Sequence, residues 1–269
     1  MSIYKKLFKV IFYMAFLTNL LFSKDIHNLS VAVDISGKQR MLKDYAMIGI
    51  GNNFGNPKED LSAIMLDFEN HLNALIKFNK EEKTESSLEK VKKLWIPIKK
   101  ALKTLPSKEK AGKIQQDLEA LLKQSNEAVG LFAKQTNEIS GEIINISGRQ
   151  RMLSQRMASL YMLKAWRVDN LQFKEKMIKA MDLYRNSLEK LKMSDMTTAE
   201  IMILLKKLEK AFNFFAVMNK SNDKFIPALI CKKSNEMLKN MNMATGLYAS
   251  QQDTELHVVL KANKNKGNE

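Results

Sequence analysis

The chain has 269 residues and a formal net charge of +15, from 44 Lys and Arg against 29 Asp and Glu. Its one cysteine, Cys231, excludes an intramolecular disulfide, and the three histidines, at 27, 71 and 257, lack metal-ligand spacing. No Walker loop, nucleophile elbow or His-Glu-Xaa-Xaa-His occurs, so the sequence points to a binding protein without cofactor or metal rather than to an enzyme.

The first predicted element is an export signal. Lys5, Lys6 and Lys9 precede or enter an apolar run from Leu7 to Phe22, and small Ser23 precedes polar Lys24 and Asp25. This pattern predicts a signal peptide over residues 1–23 and a periplasmic protein. Left uncut, the run is an N-terminal anchor of marginal length. Export turns the excess positive charge away from nucleic acid and toward an anionic ligand, an acidic partner or a membrane surface.

From residue 27 onward, apolar residues recur with a period near 3.6, which predicts an all-α protein. A first helix, about 27 to 50, ends where Gly49, Gly51, Asn52, Asn53, Gly55, Asn56 and Pro57 crowd together. A second begins near Lys58 and turns Leu61, Ile64, Met65, Phe68, Leu72 and Leu75 to one side. A third runs from near Thr84 to about Leu105, with Pro97 expected to bend it. Pro106-Ser107 then resets the chain.

From Lys108 to about Val168 no proline occurs. This stretch reads as the fourth helix of one unit fused to the first helix of the next, a rod of about 90 Å at ~1.5 Å per residue, with Gly141 as the place for a kink. Helices at about 170–191, 197–219 and 223–257 follow, and residues 258–269 read as a polar tail. The densest methionine cluster, Met237, Met241 and Met243, reads as filler between helices rather than a copper site.

Two segments divide the chain. Ile35-Ser36-Gly37-Lys38-Gln39-Arg40-Met41-Leu42 and Ile146-Ser147-Gly148-Arg149-Gln150-Arg151-Met152-Leu153 lie 111 residues apart, and Ser-Asn-Glu at 125–127 returns at 234–236. The expected fold is two tandem four-helix bundle units, 24–140 and 141–257, joined by a long shared helix.

On a helix, Ile144, Gly148, Arg151 and Gln155 share one stripe, with Arg149 and Arg156 on a neighbouring one. Gly148 costs about 1 kcal/mol of helix stability relative to Ala. Its compensation would be close approach by a second helix, which would hold Arg151 at a seam. A guanidinium offers in-plane donors to a trigonal oxyanion, a geometry that Lys cannot reproduce. Gln155 and Ser147 add uncharged donors. The same residues also suit a solvated helix crossing with snorkelling arginines. In the first copy, Asp44 stands four residues after Arg40, placed to pair with it and repel an anion, and Tyr45 stands where the second copy has Arg156. Arg151 is therefore the stronger candidate and Arg40 the weaker.

Residues 146 to 158, Ile-Ser-Gly-Arg-Gln-Arg-Met-Leu-Ser-Gln-Arg-Met-Ala, resemble the signature of the periplasmic sensor module of PilJ-type pilus chemotaxis transducers. They are also similar to the matching module of nitrate/nitrite sensor kinases of the NarX and NarQ kind. The resemblance implies a four-helix bundle with the signature on its first helix. It further implies a nitrate- or nitrite-like anion held at a dimer interface by the signature arginine of each subunit. By position that arginine is Arg151 in the second unit and Arg40 in the first.

The implied function is an accessory anion sensor that signals through a membrane sensor kinase or chemotaxis-type receptor. Straight continuation of the shared helix would stack the units end to end and keep Arg40 away from Arg151. The expected assembly is therefore a homodimer pairing Arg151 with its own symmetry mate. The competing expectation is a helical scaffold or adaptor in the cell envelope that binds no small molecule.

Overall fold

A computed structural model describes residues 37–79, 81–133, 138–168, 172–220 and 224–266. The signal peptide expected over residues 1–23 lies outside the described residues. All regular structure among the described residues is helical: α1 (Gly37–Gly49), α2 (Pro57–Phe78), α3 (Glu82–Leu102), α4 (Lys108–Ala133), α5 (Glu138–Ala165), α6 (Gln172–Lys192), α7 (Ala199–Asn219) and α8 (Pro227–Lys266).

Local chemistry sets the boundaries. Asn56 takes a left-handed conformation, φ 57°, and turns the chain into Pro57, whose fixed φ and missing N–H suit a helix start. Glu59 and Asp60 lie in that first turn, where the helix dipole favours negative charge. Thr198 caps α7 by accepting a hydrogen bond from the backbone N–H of Ile201 at 3.3 Å. Helix α3 continues through Pro97, which faces solvent. Helix α8 runs to Lys266, past residue 257 where the periodicity places the end of the last helix. No glycine or proline interrupts that stretch before Gly267.

The helices close into two rings. In the first, α1 packs on α2, α2 on α3, α3 on α4 and α4 back on α1. In the second, α5 packs on α6, α6 on α7, α7 on α8 and α8 back on α5. Sequential neighbours run antiparallel. Phe68 meets Trp95 across α2 and α3, and Gln124 donates to Ser87 across α4 and α3. In the second ring the side chain of Gln150 donates to the Tyr184 carbonyl, and Arg151 and Gln155 of α5 meet Asn242 and Ser234 of α8. Two helix-bundle units thus stand as expected.

Their connection does not. Helices α4 and α5 are separate and lie alongside one another. Arg156 Nη2 of α5 stands 2.9 Å from Glu119 Oε2 of α4, whereas on one straight helix these residues would be about 55 Å apart. The physical reason is visible in α5. From Gln150 to Leu163 every residue but Arg156, which is partly buried, is fully buried. A helix hidden on all sides needs neighbours on all sides, and α5 has α1, α4, α6 and α8 around it. An end-to-end stack would leave much of that surface in water.

The two signature helices therefore pair within one chain. Lys43 of α1 reaches Gln155 of α5, and further along both helices Tyr45 packs edge-on against Trp166. Gly49 sits directly on the Trp166 ring. A Cβ built there would lie 2.2 Å from a ring carbon, so this position requires glycine for close approach. Contacts that advance together along both helices make α1 and α5 parallel. The hydrophobic core runs continuously through both rings.

Candidate functional site

The second signature segment lies on α5, which is packed against α1, α4, α6 and α8. Arg151 is 8% exposed, and its Nη1 donates to Asn242 Oδ1 of α8 at 3.3 Å. Gln155 is fully buried. Its amide nitrogen donates to the Ser234 carbonyl at 2.8 Å, and its oxygen accepts from Lys43 Nζ at 3.4 Å. Ser147 is fully buried and donates to the Ile144 carbonyl on its own helix at 2.7 Å. Gly148 is buried beside it.

The other two arginines of this segment go elsewhere. Arg156 turns to Glu119 of α4, and Arg149 is exposed on the outer face. The structure thus brings Arg151 and Gln155 to the inner seam but does not gather Arg149, Arg151 and Arg156 around one point. A homodimer pairing Arg151 with its mate would need that guanidinium at a free surface, and it is buried in its own chain. The end-to-end stacking from which that dimer was inferred is absent.

Arg40 is partly buried, and its Nε has no hydrogen-bond partner among the described residues. Beside it lies a cluster that the signature alone does not reveal. Lys43 is 2% exposed, and its Nζ donates to Asn235 Oδ1 of α8 at 2.8 Å and to Gln155 Oε1. It also stands 3.5 Å from Asp44 Oδ1. An ammonium has three donors, and here it has three acceptors from three helices.

Asp44 is 3% exposed, and its second carboxylate oxygen, Oδ2, is buried without a hydrogen-bond partner. Burial pushes its carboxyl up to about 6 despite the opposing pull of Lys43 and Arg40, and Asp60 of α2 adds to the rise. Burial likewise raises the thiol of Cys231, on α8 at the edge of the same cluster. The sequence signal for this cluster is Lys43-Asp44 set inside Met41-Leu42 and Tyr45-Ala46-Met47. A charged pair embedded in a short apolar run on a helix must either break the run or be buried with it.

An open cleft of about 580 Å³ lies elsewhere in the first ring, lined by residues that include Lys58, Leu61, Met65, Glu69, Lys99 and Lys103; no signature arginine lines it. Met237 and Met241 are buried in the core while Met243 is half exposed, so the three do not converge. Among the described residues no group of His, Cys, Asp and Glu is arranged to hold a metal ion, and no helix is long and apolar enough to cross a membrane.

No curated protein and no solved structure gives a significant match to the chain. The family model described as the N-terminal domain of type IV pili methyl-accepting chemotaxis transducers matches residues 132–201. That match takes in α5 with the second signature, then α6 and the start of α7. It marks this part of the chain, about a quarter of its length, as similar to the N-terminal domain of those transducers.

Proposed function

We propose that the chain is an exported accessory sensor that responds to a small oxyanion of the nitrate or nitrite class. It would pass the signal to a membrane sensor kinase or chemotaxis-type receptor. The two functional units are residues 24–140 and 141–257. The observation that carries this reading is the burial of Arg151 and Gln155 on α5, between α1 and α8. A guanidinium held away from bulk water interacts with an anion far more strongly than one on a surface. Neutral Asn242 flanks it and carries an amide nitrogen that can donate to the same anion. Pairing of the signature helices within one chain brings the helices that carry Arg40 and Arg151 side by side, without a second copy.

A calorimetric titration of the purified chain with nitrate and nitrite tests this. Hydrogen bonds to charged groups contribute roughly 1.5–3 kcal/mol each, so Arg151→Ala should weaken binding by about tenfold to over a hundredfold. Arg151→Lys, which keeps charge and loses the planar fork, should fall between the two. Equal affinity in wild type and both variants would remove the signature arginine from any ligand role.

The ion pair of Arg156 with Glu119, and the three acceptors around Lys43, favour a second reading. In it these cations serve packing alone and the chain is a helical adaptor in the cell envelope. The same titration, showing no anion binding to wild type, would select it.

A further inference from the structure

The polar groups at the α1–α5 seam differ between the two signatures in one respect that bears on ligand binding. Four residues after the signature arginine, the second unit has neutral Gln155 and the first has the carboxylate of Asp44. A carboxylate is a planar, singly charged group with its oxygens on a trigonal carbon. In charge and shape it belongs to the same class as nitrate, nitrite and formate. In the first unit this group is not on the surface, where a solvated aspartate would be unremarkable. It is 3% exposed, lies 3.5 Å from buried Lys43 and is drawn electrostatically by Arg40. Its Oδ2 and the Arg40 Nε are both buried without hydrogen-bond partners among the described residues. An acceptor and a donor of opposite charge are thus left over on the same helix, one turn apart.

We propose that Asp44 is a tethered ligand. Its carboxylate stands in for a small anion beside Lys43, one helical turn from Arg40, so the first unit is already occupied and only the second answers to a free anion. This rests on the anion reading given above and specifies how the two units divide that role. The charged groups around the carboxylate are Arg40 and Lys43 on α1, Asp60 on α2 and the Cys231 thiol on α8. The neutral groups Gln155 and Asn235 complete the shell around Lys43. If Asp44 is a ligand joined to the chain by one methylene, deleting its carboxylate leaves a cation-lined space of formate size, and free formate should refill it.

The experiment is thermal unfolding of the full chain at pH 7.5 in 100 mM sodium formate against 100 mM sodium chloride. Wild type should unfold at the same temperature in both. Asp44→Ala should unfold at a lower temperature in chloride and regain about 5–10 °C in formate, as expected for ligand near a hundredfold excess over its Kd. Asp44→Asn, whose amide still fills the space, should regain nothing. If Asp44→Ala does not fold in chloride, recovery of its helical circular dichroism on adding formate takes the place of the temperature shift. Lys43→Met/Asp44→Leu supplies a folded control without the charges and should be indifferent to formate.

The proposal is overturned if formate leaves Asp44→Ala unchanged, or raises Asp44→Ala and Asp44→Asn alike. Its failure is separable from that of the anion reading. Nitrate binding to wild type that depends on Arg151, with no formate rescue of Asp44→Ala, sinks the tethered ligand alone. Formate rescue without any anion binding to wild type sinks the sensor reading alone.

Discussion

The two signature helices have the same length of repeated sequence and face each other in parallel, yet they solve the burial of polar groups in opposite ways. Helix α5 hides Ser147, Gln150, Arg151, Ser154 and Gln155, and gives them carbonyls and amides of its own and neighbouring helices as partners. Helix α1 hides an ion pair, Lys43 and Asp44, and supplies its own counter-charge. The difference shows how two similar segments can hold comparable positions in a fold with different chemistry.

The sharpest way to break this comparison is to remove one member of the α1 pair. Lys43→Met leaves the Asp44 carboxylate buried without its cation and should lower stability by about 3–5 kcal/mol in urea unfolding at pH 7.5. Lys43→Met/Asp44→Leu removes both charges and should return to within about 1 kcal/mol of wild type or exceed it. Equal losses in the single and double variants would show that the pair is not coupled.

The second test is pH. Asp44 has a folded-state value of about 6 against an ordinary 3.8. Between these values the folded chain holds a proton that the unfolded chain has released. The contribution of Asp44 is therefore fully present below about pH 4 and is lost as pH rises through 6, a change of roughly 3 kcal/mol. Subtracting the pH–stability curve of Lys43→Met/Asp44→Leu from that of wild type should isolate this slope. Gln155, at the matching position of α5, cannot titrate, so Gln155→Leu should keep it. A flat difference curve would place Asp44 in solvent.

A smaller effect is expected where the helices touch without charge. Gly49→Val puts a branched side chain into the Trp166 ring and should destabilise by about 1–3 kcal/mol, read as a lower unfolding midpoint in urea. The smallest belongs to Arg149, exposed on the outer face of α5. Arg149→Ala should change stability by less than about 0.5 kcal/mol and leave any anion affinity unchanged, in contrast to Arg151→Ala on the same helix.

Much of the fold is legible in the sequence. The 3.6-residue period and the Gly/Pro clusters place most helix boundaries within a few residues, and the repeat gives the grouping into two four-helix units. The connection between units is not legible, because no proline between Lys108 and Val168 announces that the chain turns back. The periodic pattern of α4 flows into that of α5, and only the demand that α5 be covered on every face divides them. The clue lies in composition. Ile143 to Leu163 mixes small, polar and apolar residues with no clear solvent face, which suits a central helix and not a rod.

The seam was half legible. Arg151, Gln155 and Ser147 follow from the signature and do lie inside, while Arg156 finds Glu119 through a neighbour that no local pattern specifies. The four-residue spacing suggests Arg40 as the partner of Asp44, whereas the ion pair forms with Lys43. Lys43 as the link between α1, α5 and α8 is not legible, since Gln155 and Asn235 come from 112 and 192 residues away.

The central claim is that α1 and α5 pair side by side within a single chain. Spin labels at Asn53→Cys and Lys164→Cys, on a Cys231→Ala background, report on it directly by pulsed dipolar spectroscopy. The account predicts a separation below about 20 Å, given helices packed at 8–10 Å, and no change when the labelled chain is diluted with unlabelled chain. A separation on the order of 80 Å, the span of a continuous helix from Lys108 to Lys164 at ~1.5 Å per residue, would contradict it. So would a short distance that disappears on dilution, which would assign the pairing to two copies of the chain.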